Sequence, residues 1–207
     1  MPFTRQNLAA GLDATRSWGH EGTAFDGVFT DTRSTVPRGL FFALSGPNHD
    51  AHDYLNKALE SGATGLVISR EESLPRDLPE DTFVAIVSDT RRALGRLGAM
   101  VRARLEGPVI AVTGSVGKTT VKDMAVAALG AFGACGRSPG NWNNDIGVPL
   151  SLFALEGSER HVVLELGMSA PGEIADLTEM VRPDVGLVTG AAAAHLEFFE
   201  SVDAIAD

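Results

Sequence analysis

Val109-Ile110-Ala111-Val112-Thr113-Gly114-Ser115-Val116-Gly117-Lys118-Thr119-Thr120 decides the reading of this chain. The run Val109 to Val112 is apolar without alternation, which suits a strand buried on both faces of a parallel sheet. The chain then turns through Gly114 and Gly117, residues that permit unusual backbone angles and a close approach to a ligand. Lys118, Thr119 and Thr120 open a helix running from about Thr119 to Phe132. Backbone N–H groups at such a turn, together with the helix N-terminus, form a site for phosphate. Lys118 would reach the terminal phosphates and the Thr119 hydroxyl would ligate Mg²⁺. Usual phosphate loops place four residues between the first glycine and the Gly-Lys pair. Here only Ser115 and Val116 intervene. Read alone, the segment is either a phosphate loop of shortened spacing or a structural Gly-rich turn.

Downstream, Gly133 to Pro149 is rich in Gly, Asn and Pro and reads as a loop. His161 to Leu166 reads as a strand, Pro171 to Val181 as a helix, and Val185 to Thr189 as a strand. Upstream, strands are expected over Phe25 to Phe29, Gly39 to Leu44, Ala63 to Ser69 and Phe83 to Val87. A helix is expected over His52 to Ser61, with His52 and Asp53 as its N-terminal cap, and Glu71 to Asp81 as a charged loop. Asp89 reads as an N-cap. In the helix after it, Leu94, Leu97, Val101 and Leu105 share one face. Arg91, Arg92, Arg96, Arg102 and Arg104 form the opposite, solvated face. Gly107-Pro108 cannot continue that helix and sets a domain boundary there. Strand and helix alternate, so the fold class is α/β. A small N-terminal domain (1–106) precedes a P-loop-type central domain (107–207) with a mainly parallel sheet covered by helices.

The composition excludes several functions. Apolar residues make up 44% of the 207 residues, enough for a sizeable core. A formal net charge of −10 argues against a general nucleic-acid binder. No apolar stretch reaches signal-peptide or membrane-helix length, so a soluble cytoplasmic protein without membrane insertion is expected. The single cysteine, Cys135, forms no disulfide within the chain and reads as a packing residue.

Thr113 to Thr120 resembles the T-G-x-x-G-K-T-T signature of the Mur ligases, which shares the shortened spacing. Other segments match in order. Gly140-Asn141-Trp142-Asn143-Asn144-Asp145-Ile146-Gly147-Val148-Pro149-Leu150 is similar to the Asn-rich loop of the MurF type. Glu165-Leu166-Gly167-Met168, Pro171-Gly172-Glu173-Ile174 and Ala194-His195-Leu196-Glu197 resemble further segments of that type. Asp31-Thr32-Arg33-Ser34, Gly39 to Leu44, and Asp50-Ala51-His52-Asp53-Tyr54 are similar to the UDP-substrate domain of MurE and MurF enzymes. Ala51 and Gly190 depart from the family's usual glycine and asparagine.

The resemblance implies an ATP-dependent ligase of peptidoglycan precursor synthesis. It would join D-alanyl-D-alanine to UDP-N-acetylmuramoyl-tripeptide through an acyl phosphate. The alternatives are a MurE-type ligase adding one amino acid, or a nucleotide-binding module without catalysis. By resemblance, Gly114, Ser115, Val116, Gly117, Lys118, Thr119 and Thr120 bind the ATP phosphates, and Lys118, Glu165 and His195 are the catalytic set. Thr119 and Glu165 hold one Mg²⁺, and His195 holds a second. Thr32, Arg33, Asn141, Asn143 and Asn144 contact the UDP substrate. Read from the residues alone, Glu165 is a strand-end carboxylate, His195 a structural histidine, the asparagines turn residues, and Thr32-Arg33 a surface turn. Family members continue beyond this length with a carbamylated lysine and a C-terminal domain. The expectation is therefore that the 207 residues lack turnover by themselves and expose an open sheet edge, whereas the full-length enzyme is a monomer.

Overall fold

A computed structural model describes residues 5–19, 25–34, 36–192, 201 and 205. The chain divides into two compact units, Met1–Leu97 and Gly98–Asp207.

The first unit contains helix α1 (Arg5–Leu12) and strands β1 (Arg16–Trp18), β2 (Val28–Phe29) and β3 (Leu40–Phe42). Helix α2 (Leu55–Glu60), strands β4 (Gly65–Ile68) and β5 (Phe83–Ile86), and the start of helix α3 (Thr90–Arg102) follow. The five strands form one sheet in the order β1-β5-β4-β3-β2. Strands β2 to β5 pair in parallel, and β1 runs antiparallel to β5 with Arg16 opposite Ile86. Every residue of β3, β4 and β5 is buried, as their unbroken apolar runs require of central strands. Phe29, Phe41, Leu55, Ala58, Leu66, Ile68 and Val84 share one core cluster.

Helix α2 begins later than expected. Ala51–Tyr54 forms a 3₁₀ turn, and Asp50, rather than His52 or Asp53, is its cap: the Asp50 carboxylate accepts from His52 N at 2.9 Å. His52 is buried instead. Its Nε2 accepts from Ser69 N at 3.0 Å, so Nδ1 carries the proton shared with Asp50 Oδ1 at 2.7 Å. Burial works against the Asp50 charge, but the hydrogen bonds from His52 prevail and hold its carboxyl below the usual range.

Asp89 caps α3 as expected, with Oδ1 accepting from Arg91 N at 2.8 Å and Arg92 N at 3.0 Å. The arginines of this helix are not uniformly solvated. Arg102 is drawn inward, because the carbonyls ending a neighbouring helix need donors. Its guanidinium donates to Val181 O at 2.7 Å, to Arg182 O at 2.9 Å and to Asp184 Oδ2 at 2.9 Å.

The second unit contains strand β6 (Val109–Thr113), helix α4 (Lys118–Gly130), strand β7 (Cys135–Arg137) and helix α5 (Gly147–Phe153). Strand β8 (His161–Glu165), helix α6 (Glu173–Val181) and strand β9 (Val185–Val188) follow. The sheet order is β7-β8-β6-β9, parallel throughout. Ile110, Val112 and Val163 form a core against Val121, Ala125, Val126 and Leu129 of α4. The expected loop over Gly133 to Pro149 thus contains a strand and the start of a helix. Among the described residues β9 is an edge strand, with Val185, Leu187 and Val188 exposed. No helix among the described residues is long and apolar enough to cross a membrane.

Candidate functional site

The register of β6 and β8 sets Val112 beside Glu165, so both strands end at one level. Ligands of parallel α/β sheets gather outside these carboxyl ends. The loop Gly114 to Gly117 leaves β6 there and enters α4. Gly114 has φ +131°, and a Cβ at this position would lie 2.2 Å from Thr189 Oγ1. Only glycine fits, because the end of β9 presses on the loop. The Thr189 hydroxyl donates to Val116 O at 2.7 Å, and Ser115 N donates to Gly190 O at 2.9 Å. Gly117 has φ +86° and no atom within 4 Å of a built Cβ. It is the left-handed residue before α4, and no side chain caps the helix there. The first N–H groups of this 13-residue helix therefore have no side-chain cap.

Lys118 lies over this loop, its Nζ donating to Gly114 O at 2.7 Å. Thr119 and Glu165 meet, the threonine hydroxyl donating to Glu165 Oε2 at 2.8 Å. Asn143 Nδ2 donates to Glu165 Oε1 at 2.8 Å. Glu165 is only 1% exposed, and Ser138 Oγ accepts from its backbone N at 3.1 Å. The same pocket holds Lys122, 2% exposed, with Nζ 3.8 Å from Glu165 Oε2. Glu165 is therefore a buried carboxylate surrounded by donors, not a solvated strand end. Lys122 is not among the residues that the sequence motifs single out. The available signal was its spacing of four from Lys118, which puts both lysines on one helix face.

The residues fit a magnesium ion held jointly with a nucleotide. Mg²⁺ is commonly bound by one or two protein oxygens plus substrate phosphates. The Thr119 hydroxyl and Glu165 carboxylate offer that pair of hard oxygens beside the phosphate loop. Among the described residues no group of three or more His, Cys, Asp or Glu forms a metal cage.

The Asn-rich turn splits in its contacts. Asn143 faces Glu165, whereas Asn144 Oδ1 accepts from Ile146 N at 3.3 Å and Gly147 N at 2.8 Å, starting α5. Asn141 is exposed. His195 lies outside the described residues. Cys135 is half-buried, and burial pushes its thiol up, as suits a packing residue rather than a nucleophile.

In the first unit, Thr32 and Arg33 line a cleft of about 430 Å³ with Thr30, Phe41, His49 and Tyr54. The Arg33 fork is held by Asp31, Nε donating to Oδ1 at 2.9 Å and Nη2 to Oδ2 at 2.6 Å. The hydrogen-bonded Arg33 guanidinium holds the Asp31 carboxyl down at about 2.

Parallel sheet, phosphate-loop turn and buried carboxylate together define an α/β protein of the phosphate-loop class. Comparison with known proteins narrows this. Residues 112–207 match the Mur ligase middle domain. UDP-N-acetylmuramoyl-tripeptide–D-alanyl-D-alanine ligase of Escherichia coli is 46% identical over 181 residues, covering 87% of this chain and 39% of the relative. The enzyme of the same name from Bacillus subtilis is 38% identical over 188 residues, covering 91% and 40%. A crystal structure of MurF from Acinetobacter baumannii is similar with a TM-score of 0.87 at 32% identity, covering 100% of this chain and 45% of that one. MurF ligase from Thermotoga maritima, in complex with ADP, is similar with a TM-score of 0.77 at 30% identity, covering 87% and 41%. Residues 112–207 belong to the Mur ligase family, and over most of its length the chain is similar to ligases of the MurF type. It spans about 40% of the length of these curated relatives.

Proposed function

We propose that the native protein is an ATP-dependent ligase that joins D-alanyl-D-alanine to UDP-N-acetylmuramoyl-tripeptide in the cytoplasm, acting as a monomer. The observation that carries this is the buried Glu165 carboxylate held by Thr119, Asn143 and Lys122 beside an uncapped phosphate helix. The relatives' names suggest the substrates, and the contacts of Lys118, Thr119, Asn143 and Glu165 support the roles given to those four residues.

The chemical problem is that a carboxylate is a poor electrophile. Phosphoryl transfer from ATP to the tripeptide carboxylate gives an acyl phosphate. The D-Ala-D-Ala amine attacks the acyl carbon, phosphate leaves with the bonding electron pair, and the amine proton is lost. Catalysis is then mainly positioning and charge neutralisation. The N–H groups of Ser115 to Thr120 cradle the phosphates. Lys118 exchanges its bond to Gly114 O for the terminal phosphates. Thr119 and Glu165 would hold a magnesium ion, which would supply further charge neutralisation. His195 would hold a second magnesium. Thr32 and Arg33 take the uridine diphosphate in the first unit, where the planar Arg fork suits paired oxygens. Asn141, Asn143 and Asn144 shape the substrate side of the loop, Asn143 acting through Glu165. In domain terms, 1–106 carries the UDP substrate and 107–207 the nucleotide phosphates.

The test is phosphate release by the native protein with UDP-tripeptide and ATP. Release that requires D-Ala-D-Ala is expected. Release supported by diaminopimelate or lysine, and not by D-Ala-D-Ala, would assign a MurE-type activity instead.

A further inference from the structure

Lys122 is the buried charge that the proposed chemistry leaves unused. A lysine at 2% exposure gives up solvation and side-chain freedom, so its partners must compensate. Nζ donates to Gly140 O at 2.8 Å and to Ser138 O at 3.3 Å. It faces Glu165 Oε2 at 3.8 Å and Asp123 Oδ1 at 3.7 Å. Asp123 is solvent-exposed at the helix surface, whereas Glu165 is as buried as Lys122.

These partners sit on three separate elements. Lys122 belongs to α4, Glu165 ends β8, and Ser138 and Gly140 flank the turn leading to Asn143. That turn is closed by Trp142 N donating to Pro139 O at 3.1 Å. Both of its ends touch Glu165: Ser138 Oγ accepts from the Glu165 backbone, and Asn143 Nδ2 donates to its carboxylate. One ammonium thus spans the gap between the phosphate helix, the carboxylate and the asparagine turn.

We propose that Lys122 is a positioning residue: its ammonium aims the Glu165 carboxylate at Thr119 and ties the turn carrying Asn143 to the phosphate helix. An apolar side chain of similar volume would fill the same space without burying a charge, and such replacements often cost a fold little. What an apolar chain cannot do is hydrogen-bond two carbonyls while holding a positive charge beside the carboxylate. The inference deepens the proposed role of Glu165 as a magnesium ligand and rests on that reading for its metal readout. The tie to the turn stands on the two carbonyl bonds.

The test uses the native protein with every tryptophan other than Trp142, Trp18 included, replaced by phenylalanine. Trp142 is then its fluorescent reporter inside the turn. Lys122→Met is expected to weaken Mg·ATP binding by about 10- to 100-fold, the usual cost of losing a group that orients a metal ligand. ATP binding in chelator should stay near wild type, and acrylamide quenching of Trp142 should rise. In a Glu165→Gln background, adding Lys122→Met should weaken Mg·ATP no further. Unchanged Mg·ATP affinity with unchanged quenching would overturn the proposal, as would a full additive loss in the double variant. If Lys122→Met does not fold, the double variant buries no unpaired charge and replaces it. Trp142 quenching above that of Glu165→Gln alone then supports the tie, and equal quenching overturns it. A native protein whose ATP affinity ignores Mg²⁺ would sink the reading of Glu165 itself, and the quenching comparison would still decide the tie.

Discussion

Replacing Gly114 by alanine isolates what the phosphate loop demands of its sequence. The new Cβ would stand 2.2 Å from Thr189 Oγ1, 3.0 Å from Gly190 O and 3.1 Å from Gly190 N. The two backbone atoms yield little, so the Thr189 hydroxyl must leave its bond to Val116 O. Losing that bond costs about 0.5–1.5 kcal/mol. Holding alanine at φ +131° costs on the order of 1–3 kcal/mol more. The sum, about 1.5–4.5 kcal/mol, corresponds to roughly 10- to 2,000-fold if it falls wholly on nucleotide affinity. Any part the loop refuses to relax appears instead as a lower melting temperature. Calorimetric titration with Mg·ADP and a thermal melt on the same protein capture both. In a Thr189→Ala background the 2.2 Å clash is gone and only the tight contacts with Gly190 remain, so Gly114→Ala should cost mainly the backbone strain, about 1–3 kcal/mol. Gly114→Ala with wild-type affinity and melting temperature would refute the loop geometry.

Two further outcomes follow from the same side chains. Glu165→Ala leaves the Lys122 ammonium buried without its carboxylate and should lower unfolding free energy by about 3–5 kcal/mol, read by urea denaturation. An unchanged midpoint would show that the pair is not formed. Asp31, held near 2 by Arg33, lies below its ordinary 3.8. Its stabilisation is therefore complete above pH 3.8 and is lost as pH falls through about 2. A carboxyl NMR titration should place the Asp31 midpoint near 2, and a midpoint near 3.8 would show the pair absent.

The parts legible in the sequence were those where one residue type has one physical use. The apolar runs Val109 to Val112 and Phe83 to Val87 became buried parallel strands because nothing else buries them on both faces. Asp89 became a cap because its short carboxylate reaches the N–H groups of Arg91 and Arg92 in the first turn. Residues of ambiguous use were misread. Gly147 and Pro149 looked like loop residues, yet Pro149 sits in the first turn of α5, where a missing N–H costs nothing. Cys135-Gly136-Arg137 has no strand pattern; it becomes β7 because the adjacent edge of β8 needs a partner. Strand β1 similarly exists through its pairing with β5 rather than through Arg16 or Ser17. His52 and Lys122 carried no sequence sign of burial, since tertiary partners alone make a buried polar side chain tolerable. Asn143 was recognised as important, but its contact with Glu165, 22 residues away, depends on how the turn folds over β8.

The central claim is that Gly114 to Thr120 binds nucleotide phosphates with Lys118 as the neutralising charge. Calorimetric titration of the native protein and of Lys118→Ala with Mg·ATP tests it most directly. Saturable one-to-one binding by the native protein is predicted, with the variant folded and its affinity severely reduced. Equal affinity in the two proteins would contradict the claim.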